Sequence, residues 1–242
     1  MFDWFKKDES HLPEFWQKYS AGFNSNQKEQ LIAETTFVVL DTETTGFDQE
    51  KDRILSIGCV KIKNNKLLVA DSFEIYLKQE KFNPDTVEIH GLIKHERFET
   101  ISEEKAIQLF LKYIKDSVLV AHHAGFDINM INAALKRNHL PKLKNRVLDT
   151  GILYRKTRII SNFIDQHKTY SLDEVALAYN IDLKDRHTAI GDAFITAIAF
   201  LKILGRLKRK KLKNYSKSKS LQVKPTRYLL KIYSFLEKFR IH

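Results

Sequence analysis

Two acidic residues follow directly on a short apolar run, at a spacing that could bind a cation. Residues 37–40 read Phe-Val-Val-Leu, and Asp41 and Glu43 come next. Because alternate side chains of an extended strand leave the same face, we expect the two carboxylates to point to one side. They repel each other unless a cation lies between them, and their oxygens suit hard ions such as Mg²⁺ or Mn²⁺. The alternative is a strand end with solvated acids and a Thr-Gly turn.

A third acid, Asp127, follows another predicted buried strand by a short turn. That strand spans residues 117–121, and a helix predicted in front of it favours a parallel crossover onto the first strand. Open α/β sheets place their sites outside the C-terminal ends of the strands. The pattern therefore predicts that Asp127 lies at the same sheet edge as Asp41 and Glu43.

A fourth acid, Asp192, lies on a long apolar helix predicted over residues 187–204, which also carries His187. Four carboxylates that converge without Lys or Arg partners would repel one another strongly, so such an arrangement implies metal ions. Two divalent ions about 4 Å apart can clamp the attacking and leaving oxygens of an in-line phosphoryl displacement. An unperturbed imidazole titrates at about pH 6.5, so His187 is the natural acceptor of a proton from the attacking water.

The elements that would position these residues predict an α/β fold. The dipeptide Asn64-Asn65 suits a tight hairpin turn, so the two strands that flank it are expected to pair antiparallel with each other and with the first strand. Helices are predicted between the later strands, which places helices against a mixed five-stranded sheet. The predicted strands cover residues 37–40, 53–62, 67–77, 117–121 and 147–150.

Taken together, the three clusters resemble the motifs of the DEDDh 3′–5′ exonucleases, the group that contains the epsilon proofreading subunit of bacterial replicative polymerases. Residues 41–46 (DTETTG) match the first motif, residues 121–127 (AHHAGFD) the second and residues 187–192 (HTAIGD) the third. The resemblance covers roughly residues 37–204 and implies a ribonuclease-H-like fold.

The resemblance also implies roles for individual residues. It makes His187 the general base, and it assigns two divalent ions, Mg²⁺ or Mn²⁺, to four acidic ligands. A sister group has a tyrosine four residues before its last aspartate. This chain has Thr188 there and His187 one residue earlier, which selects the histidine type. The implied metal ligands are Asp41, Glu43, Asp127 and Asp192.

Substrate-binding residues are implied by the same resemblance. Residues 89–91 (IHG) resemble the family's segment that contacts the 3′-terminal nucleotide. Thr44 and Thr45 would hold that nucleotide through hydroxyl or backbone contacts. The implied substrate-binding residues are Thr44, Thr45, Gly46, His90, Gly91 and His122.

One position departs from the family pattern. The second motif usually reads His-Asn, and this chain has His122-His123. A neutral imidazole offers one donor and one acceptor in a geometry unlike that of an amide, so the contacts around the ligands differ. A zinc pair is the alternative, but adjacent side chains of an extended segment point in opposite directions. Asp149 is interpreted as a turn or cap residue, with a fifth metal ligand as the alternative.

The net positive charge of the chain comes from its C-terminal end. Residues 205–242 hold 13 Lys/Arg against one acid, and the preceding 204 residues hold 28 against 29, so the formal net charge of +11 belongs to the tail. A near-neutral body with a basic arm is typical of a protein that binds a polyanion, although such an arm can also be merely solvated. Beyond Pro225 the apolar residues have helical spacing, which predicts a terminal amphipathic helix.

The length of 242 residues suits one sizeable domain with extensions. We predict a helical N-terminal extension over residues 1–36 with a helix near 12–23, an exonuclease domain over 37–204, and a basic tail over 205–242. The single cysteine, Cys59, excludes an intramolecular disulfide and suits a reducing compartment. Neither a secretory segment nor a membrane-spanning run is predicted, so a cytoplasmic protein is expected.

The leading functional hypothesis is a metal-dependent exonuclease that removes nucleotides from the 3′ end of a nucleic acid, with DNA favoured. A DNA polymerase is a candidate partner, and no membrane is expected. A non-catalytic nucleic-acid-binding or polymerase-associated module on the same fold is the first alternative. The intact set of five catalytic residues argues against it. An enzyme directed at RNA is the second, and the residues do not decide between the sugars.

Overall fold

The computed structural model describes residues 9–23, 34–79, 99–158 and 168–221, with the side chains of the last segment described as far as residue 209. The predicted substrate residues His90 and Gly91 and the predicted amphipathic helix beyond Pro225 lie outside the described residues.

The described strands are β1 (Phe37–Thr44), β2 (Ile54–Lys63), β3 (Lys66–Leu77), β4 (Thr100–Ile101), β5 (Val118–Ala121) and β6 (Val147–Asp149). They form one mixed sheet in the order β4-β3-β2-β1-β5-β6. All five predicted strands are present, and the additional strand, β4, has two residues and runs parallel to the end of β3. A mixed sheet with β1 near its centre places the first motif at the end of an interior strand.

The predicted hairpin is confirmed, with β2 antiparallel to both β1 and β3. Its turn residues, Asn64 and Asn65, have φ values of 53° and 56°. Two successive left-handed residues make the tight turn that matches the twist of the flanking strands, and asparagine tolerates that conformation better than most residues.

The parallel half of the sheet brings the first two motifs together. β5 pairs in parallel with β1, with Val39 opposite Val120, and β6 pairs in parallel with β5. The C-terminal ends of β1 and β5 therefore meet at one edge, as predicted.

Helices cover both faces of the sheet. Alternation along β1 sends Phe37 and Val39 into one apolar core with the last helix. Val38 and Leu40 enter the opposite core with the first three helices. The described helices are α1 (Glu14–Ala21), α2 (Glu103–Ile114), α3 (Gly125–Arg137), α4 (Thr150–Thr157), α5 (Leu172–Ala178) and α6 (Ala189–Leu221).

The N-terminal helix α1 packs on the body of the protein. Trp16 and Tyr19 are buried there, and the Tyr19 hydroxyl donates to the Asn145 side chain at 2.5 Å. The aromatic residues of this helix therefore serve packing.

The last helix departs from its prediction at both ends. It begins at Ala189, because His187 has a φ of 64° that a helix does not accept. It continues to Leu221 through the predicted boundary at residues 204 and 205, since the basic segment lacks proline and is rich in good helix formers. In the part of the chain that the structure describes, no helix combines the length and apolar character needed to cross a membrane.

Candidate active site

Three of the four predicted acidic ligands converge at the end of β1. Asp41, Glu43 and Asp192 each offer an oxygen, and these oxygens lie within 4.8 Å of one another. Asp41 and Glu43 share the strand face that Phe37 and Val39 turn toward α6, and Asp192 lies in the first turn of that helix. The alternation of β1 therefore explains why the two strand acids face the helix that carries Asp192.

The close approach of α6 to the sheet depends on Gly58 in β2. Gly58 pairs with Asp41 in the antiparallel register. A Cβ atom at Gly58 would lie 2.3 Å from the backbone of Ala189 and Ile190. Only glycine leaves room for the helix start directly beside Asp41. The importance of Gly58 could not be recognised from the sequence, because a glycine inside an apolar strand gives no sign of what lies across from it.

A tight turn before α6 sets the position of Asp192. Asp185 and His187 both have positive φ values, 67° and 64°. The Thr188 hydroxyl donates to the Asp185 carbonyl at 2.8 Å and accepts from the Gly191 backbone N–H at 3.1 Å. A Cβ atom at Gly191 would lie 2.0 Å from the same carbonyl, so the turn closes only with glycine there.

Asp127 approaches the same edge from α3 and is anchored on β1. Its Oδ1 accepts hydrogen bonds from the Thr42 backbone N–H at 3.0 Å and from the Thr42 hydroxyl at 2.7 Å. Asp127 is 3% exposed, and its charge helps to raise the pKa of Asp41. The structure thus places it beside the three converging acids.

The site is electrostatically suited to cations. Burial, followed by the charges of Asp127 and Asp192, raises the pKa of Asp41 well above its usual range. Burial likewise raises the pKa of Asp127 to about 7. Oδ1 of Asp192 is buried and has no hydrogen-bond partner among the described residues. A hard divalent cation would supply the missing partner and favour the ionised carboxylates, so the residues present fit such an ion.

The assumption that the acids converge without a basic partner is wrong. The Nη1 atom of Arg186 contacts Oδ2 of Asp192, and burial of Asp192 still outweighs this contact, so its pKa is raised. Arg186 also donates to Asp173 through Nε, at 2.6 Å from Oδ1. Arg186 is adjacent to His187 in the sequence, which could have indicated a role at the site. The contact of its side chain with Asp192 is visible only in the structure.

His187 lies in the turn, one residue before Thr188, and its side chain is exposed. Its backbone N–H interacts with the Asp192 carboxylate, which lowers the pKa of Asp192 in part. The structure therefore places the backbone of His187 beside Asp192 and leaves the residue exposed to solvent. Its role as general base stays a prediction.

The predicted substrate residues after β1 form a tightly bonded loop. The Thr44 hydroxyl donates to the Gly46 carbonyl at 2.8 Å, and the Thr45 hydroxyl donates to Oδ1 of Asp52 at 2.8 Å. A Cβ atom at Gly46 would lie 2.4 Å from the Asp52 carboxylate, so this loop requires glycine. Both hydroxyl protons are used within the loop, and the Thr45 hydroxyl oxygen also accepts from the Arg53 backbone N–H at 3.0 Å. Nucleotide contacts by these residues stay a prediction.

The histidine pair divides into an internal and an exposed member. His122 places Nδ1 2.9 Å from the Thr150 hydroxyl and Nε2 2.8 Å from the Tyr170 carbonyl, and burial lowers its pKa. A direct substrate contact by His122 stays a prediction. Such a contact would require His122 to give up one of these two hydrogen bonds. His123 is exposed and has a φ of 56°.

Asp149 caps the start of α4, as interpreted from the sequence. Its Oδ1 accepts from the Gly151 and Ile152 backbone N–H groups, and its Oδ2 accepts from the Ala124 N–H at 3.0 Å. These bonds tie the end of β6 to the segment that leads into α3, and so support the placement of Asp127.

An aromatic pair, in which Phe47 is exposed and Phe126 is half-buried against the core, borders the site and was missed in the sequence. Phe47 follows Gly46 of the first motif and is 83% exposed, and Phe126 precedes Asp127. Their ring centroids lie 5.7 Å apart. A phenylalanine this exposed gains little from packing on its own protein.

A family model described as an exonuclease, RNase_T, matches residues 38–200. The chain belongs to this exonuclease family. The match contains all three converging acids and Asp127, so the predicted family resemblance is confirmed.

Curated relatives of this exonuclease-family chain include PolC-type DNA polymerases III. The one from Caldanaerobacter subterraneus subsp. tengcongensis is 34% identical over 189 residues, which cover 78% of this chain and 13% of the relative. The one from Bacillus subtilis is 31% identical over 181 residues, covering 74% and 12%. The chain thus spans about an eighth of the length of these relatives.

Solved structures with the same fold include E. coli exonuclease I in complex with a dT13 oligonucleotide. The TM-score is 0.62 at 18% identity, over 75% of this chain and 43% of the other. Exonuclease X in complex with 5′ overhanging duplex DNA gives 0.53 at 21% identity, over 70% and 91%. The predicted ribonuclease-H-like exonuclease fold is confirmed.

Proposed function

We propose that this protein is a metal-dependent 3′–5′ exonuclease that hydrolyses the terminal phosphodiester of DNA. The observation that carries the proposal is the convergence of oxygens from Asp41, Glu43 and Asp192 within 4.8 Å, in a chain of the exonuclease family. Such a cluster is costly to a protein that does not use it, because burial raises the pKa of two of these acids.

The four acids would hold two divalent ions, Mg²⁺ or Mn²⁺. Asp41, Glu43 and Asp192 present converging oxygens, and Asp127 completes the set from α3. When bound, the ions would stabilise the negative charge that develops on the phosphate and on the attacking and leaving oxygens. The role of the carboxylates is to hold these ions in one fixed arrangement, with Thr42 holding Asp127 on β1.

His187 would accept the proton of the attacking water. His187 is exposed, and its backbone interacts with Asp192, one of the proposed ligands, which supports a place for the imidazole near the cluster. A base must lie within hydrogen-bond reach of the water that it activates, directly or through one further water. His187 has a φ of 64° and precedes the helix start at Ala189, so its side chain is not fixed by the helix and would turn toward that water.

The 3′-terminal nucleotide would lie across the first and second motifs. Phe47 and Phe126 offer aromatic surface on which a base can stack, an interaction that every base can make. Thr44, Thr45 and Gly46 would contact the sugar or phosphate through oxygen lone pairs and backbone groups. His90 and Gly91 are predicted to contact the same nucleotide. The oligonucleotide in the exonuclease I complex supports a single-stranded 3′ end as substrate.

A proofreading role beside a DNA polymerase follows from the relatives. They are PolC-type DNA polymerases III, and this chain matches about an eighth of their length. We therefore propose that the protein removes misincorporated nucleotides in the cytoplasm, together with a polymerase on a separate chain or on the same one.

Digestion of 3′-labelled substrates tests the proposal. Single-stranded DNA, RNA of the same sequence and a duplex with a 3′ mismatch would be incubated with Mg²⁺, with Mn²⁺ and with excess chelator. We expect stepwise loss of DNA nucleotides from the 3′ end, which stops in chelator and resumes when metal is restored. Faster loss of RNA would reassign the substrate. Binding without degradation under every metal condition would favour the non-catalytic alternative.

A further inference from the structure

The two carboxylate oxygens of Asp192 differ in their surroundings. Oδ2 contacts Nη1 of Arg186, while Oδ1 is buried and lacks a hydrogen-bond partner among the described residues. Oδ2 therefore has a partner in the protein, whereas Oδ1 can contact a bound cation. An oxygen of Asp192 lies within 4.8 Å of oxygens from Asp41 and Glu43.

Arg186 is itself bound by a second carboxylate, that of Asp173. Its Nε donates to Oδ1 of Asp173 at 2.6 Å, and its Nη2 lies 3.3 Å from Oδ2 of the same residue. The planar guanidinium matches a carboxylate in this two-point geometry, so its direction is fixed and not only its charge. The Arg186 side chain is 18% exposed, so water screens the contacts only in part.

Asp173 in turn lies in a helix whose start is fixed by capping. It lies in the first turn of α5, where the Ser171 side chain accepts from the Glu174 N–H and the Glu174 side chain accepts from the Ser171 N–H. This reciprocal capping fixes the helix start. The chain of contacts therefore runs from a capped helix through Asp173 and Arg186 to Asp192.

We propose that Arg186 is a positioning residue, which holds Asp192 by Oδ2 so that Oδ1 faces the metal cluster. This inference rests on the proposed function, because it concerns metal binding by the same acids. Residues that orient a metal ligand from behind are worth about 10–100-fold in metal affinity.

The same measurement would also detect the opposite effect, which is tighter metal binding. A guanidinium beside the cluster also repels a cation, and if that repulsion dominated, removal of Arg186 would tighten metal binding. Positioning and repulsion therefore predict opposite signs. The direction of the change in Mn²⁺ affinity decides between them.

The experiment measures Mn²⁺ binding to the full chain by calorimetry or by the electron paramagnetic resonance of free Mn²⁺. We expect Arg186→Gln to weaken binding about 10–100-fold. Arg186→Lys retains the charge but not the two-point geometry, so it should recover only part of the loss. Asp173→Asn leaves Arg186 in place with a weaker anchor, and should weaken binding less than Arg186→Gln does.

Arg137 provides a matched control. It makes a similar two-point pair with Glu103, at 3.0 Å and 2.7 Å, and its side chain is 23% exposed. Arg137→Gln should lower the melting temperature of the metal-free protein without a change in Mn²⁺ affinity. That comparison separates a loss of stability from a loss of ligand orientation.

The outcomes separate the two proposals. Unchanged or tighter Mn²⁺ binding in Arg186→Gln, with the parent binding and degrading normally, would overturn the positioning role and leave the proposed function intact. Equal binding by Arg186→Lys and the parent would show that charge alone matters and would also overturn it. A parent chain that binds no Mn²⁺ would overturn both.

Discussion

The two sides of the acidic cluster are built in different ways. On the strand side, β1 pairs with β2 along its whole length, and the loop that follows is closed by the hydroxyls of Thr44 and Thr45. On the helix side, Asp192 follows a turn in which Asp185 and His187 both adopt a left-handed conformation. On the strand side, the hydroxyl protons of Thr44 and Thr45 are used in hydrogen bonds within the protein. The helix side carries backbone strain, and Oδ1 of Asp192 has no hydrogen-bond partner among the described residues.

This difference shows where each half of the site is determined. The two strand acids face one way because of the alternation of β1, which any strand would impose. The position of the helix acid depends on a contact with Gly58, which is 134 residues away in the sequence. Variants on the two sides should therefore fail for different reasons, the first by loss of a ligand and the second by displacement of one.

Loss of a strand-side ligand should have the largest effect. Asp41→Ala removes one of the converging oxygens, and the charge stabilisation supplied by a metal is worth several kcal/mol, or about 10³-fold or more in kcat. Single-turnover digestion of labelled DNA measures the loss. Asp71→Ala, which alters an exposed acid on β3, is the control and should retain the parent rate. A rate for Asp41→Ala within tenfold of the parent would contradict the proposed ligand role.

Removal of the imidazole in the turn should have the next largest effect. His187→Ala should lower kcat by about 10²–10⁴-fold, because a positioned base is lost, with little change in the affinity for DNA. The acidic limb of the pH–rate profile should also flatten, since an unprotonated His187 would no longer be required. A profile and rate like those of the parent would assign the base to another group.

Displacement of the helix-side ligand should cost less. Gly58→Ala places a methyl group 2.3 Å from the backbone at Ala189, so α6 must shift. We expect about a 10²-fold loss of kcat from the misplacement of Asp192, and a destabilisation of about 1–3 kcal/mol from overpacking. Thermal melting and digestion rates measure the two effects.

The same helix offers a matched control. A Cβ atom at Gly205 meets nothing within 4 Å, so Gly205→Ala should stabilise α6 by about 0.5–1 kcal/mol and leave the rate unchanged. Full activity in Gly58→Ala would show that the close approach of helix and strand does not position Asp192.

The smallest effect is on stability, and it depends on pH. Burial raises the pKa of Asp127 to about 7, against about 3.9 in an unfolded chain. The folded, metal-free protein therefore binds this proton more tightly than the unfolded chain, so the contribution of Asp127 to stability falls as the pH rises from about 4 to about 7. Asp127→Asn keeps the acceptor oxygen for Thr42 but cannot ionise.

In chelator at pH 8, Asp127→Asn should melt at a higher temperature than the parent, and the gap should close toward pH 4. Circular dichroism melts at the two pH values provide the measurement. A parent that gains stability over the variant as the pH rises would show that Asp127 is stabilised, not destabilised, as an anion.

The sequence predicted the strand side of the site more fully than the helix side. The alternation of β1 was sufficient to place Asp41 and Glu43 on one face, and the parallel crossover was sufficient to bring Asp127 to the same edge. The hairpin turn at Asn64 and Asn65 was also readable, because both residues tolerate positive φ values. These features depend on local spacing and on general rules of sheet connection.

The helix side was readable only as a motif. The spacing of His187 and Asp192 indicated a site, but not that the helix begins between them, nor that Arg186 contacts Asp192. Those facts depend on the left-handed turn and on the space left by Gly58, which no pattern of hydrophobicity records. Phe47 was missed for a related reason, since the sequence does not show which apolar residues are exposed.

The uninterrupted helix α6 sets a length scale for the molecule. It begins at the acidic cluster and ends at Leu221, so at 1.5 Å per residue it extends about 45 Å from Asp192. Stacked nucleotides rise about 3.4 Å each, which makes this distance equal to about 13 nucleotides. An oligonucleotide of five or six stacked nucleotides, with its 3′ end at the acids, would not reach the far end of this helix. A nucleic acid with its 3′ end at the acids would therefore need about 13 stacked nucleotides to span the distance to Leu221.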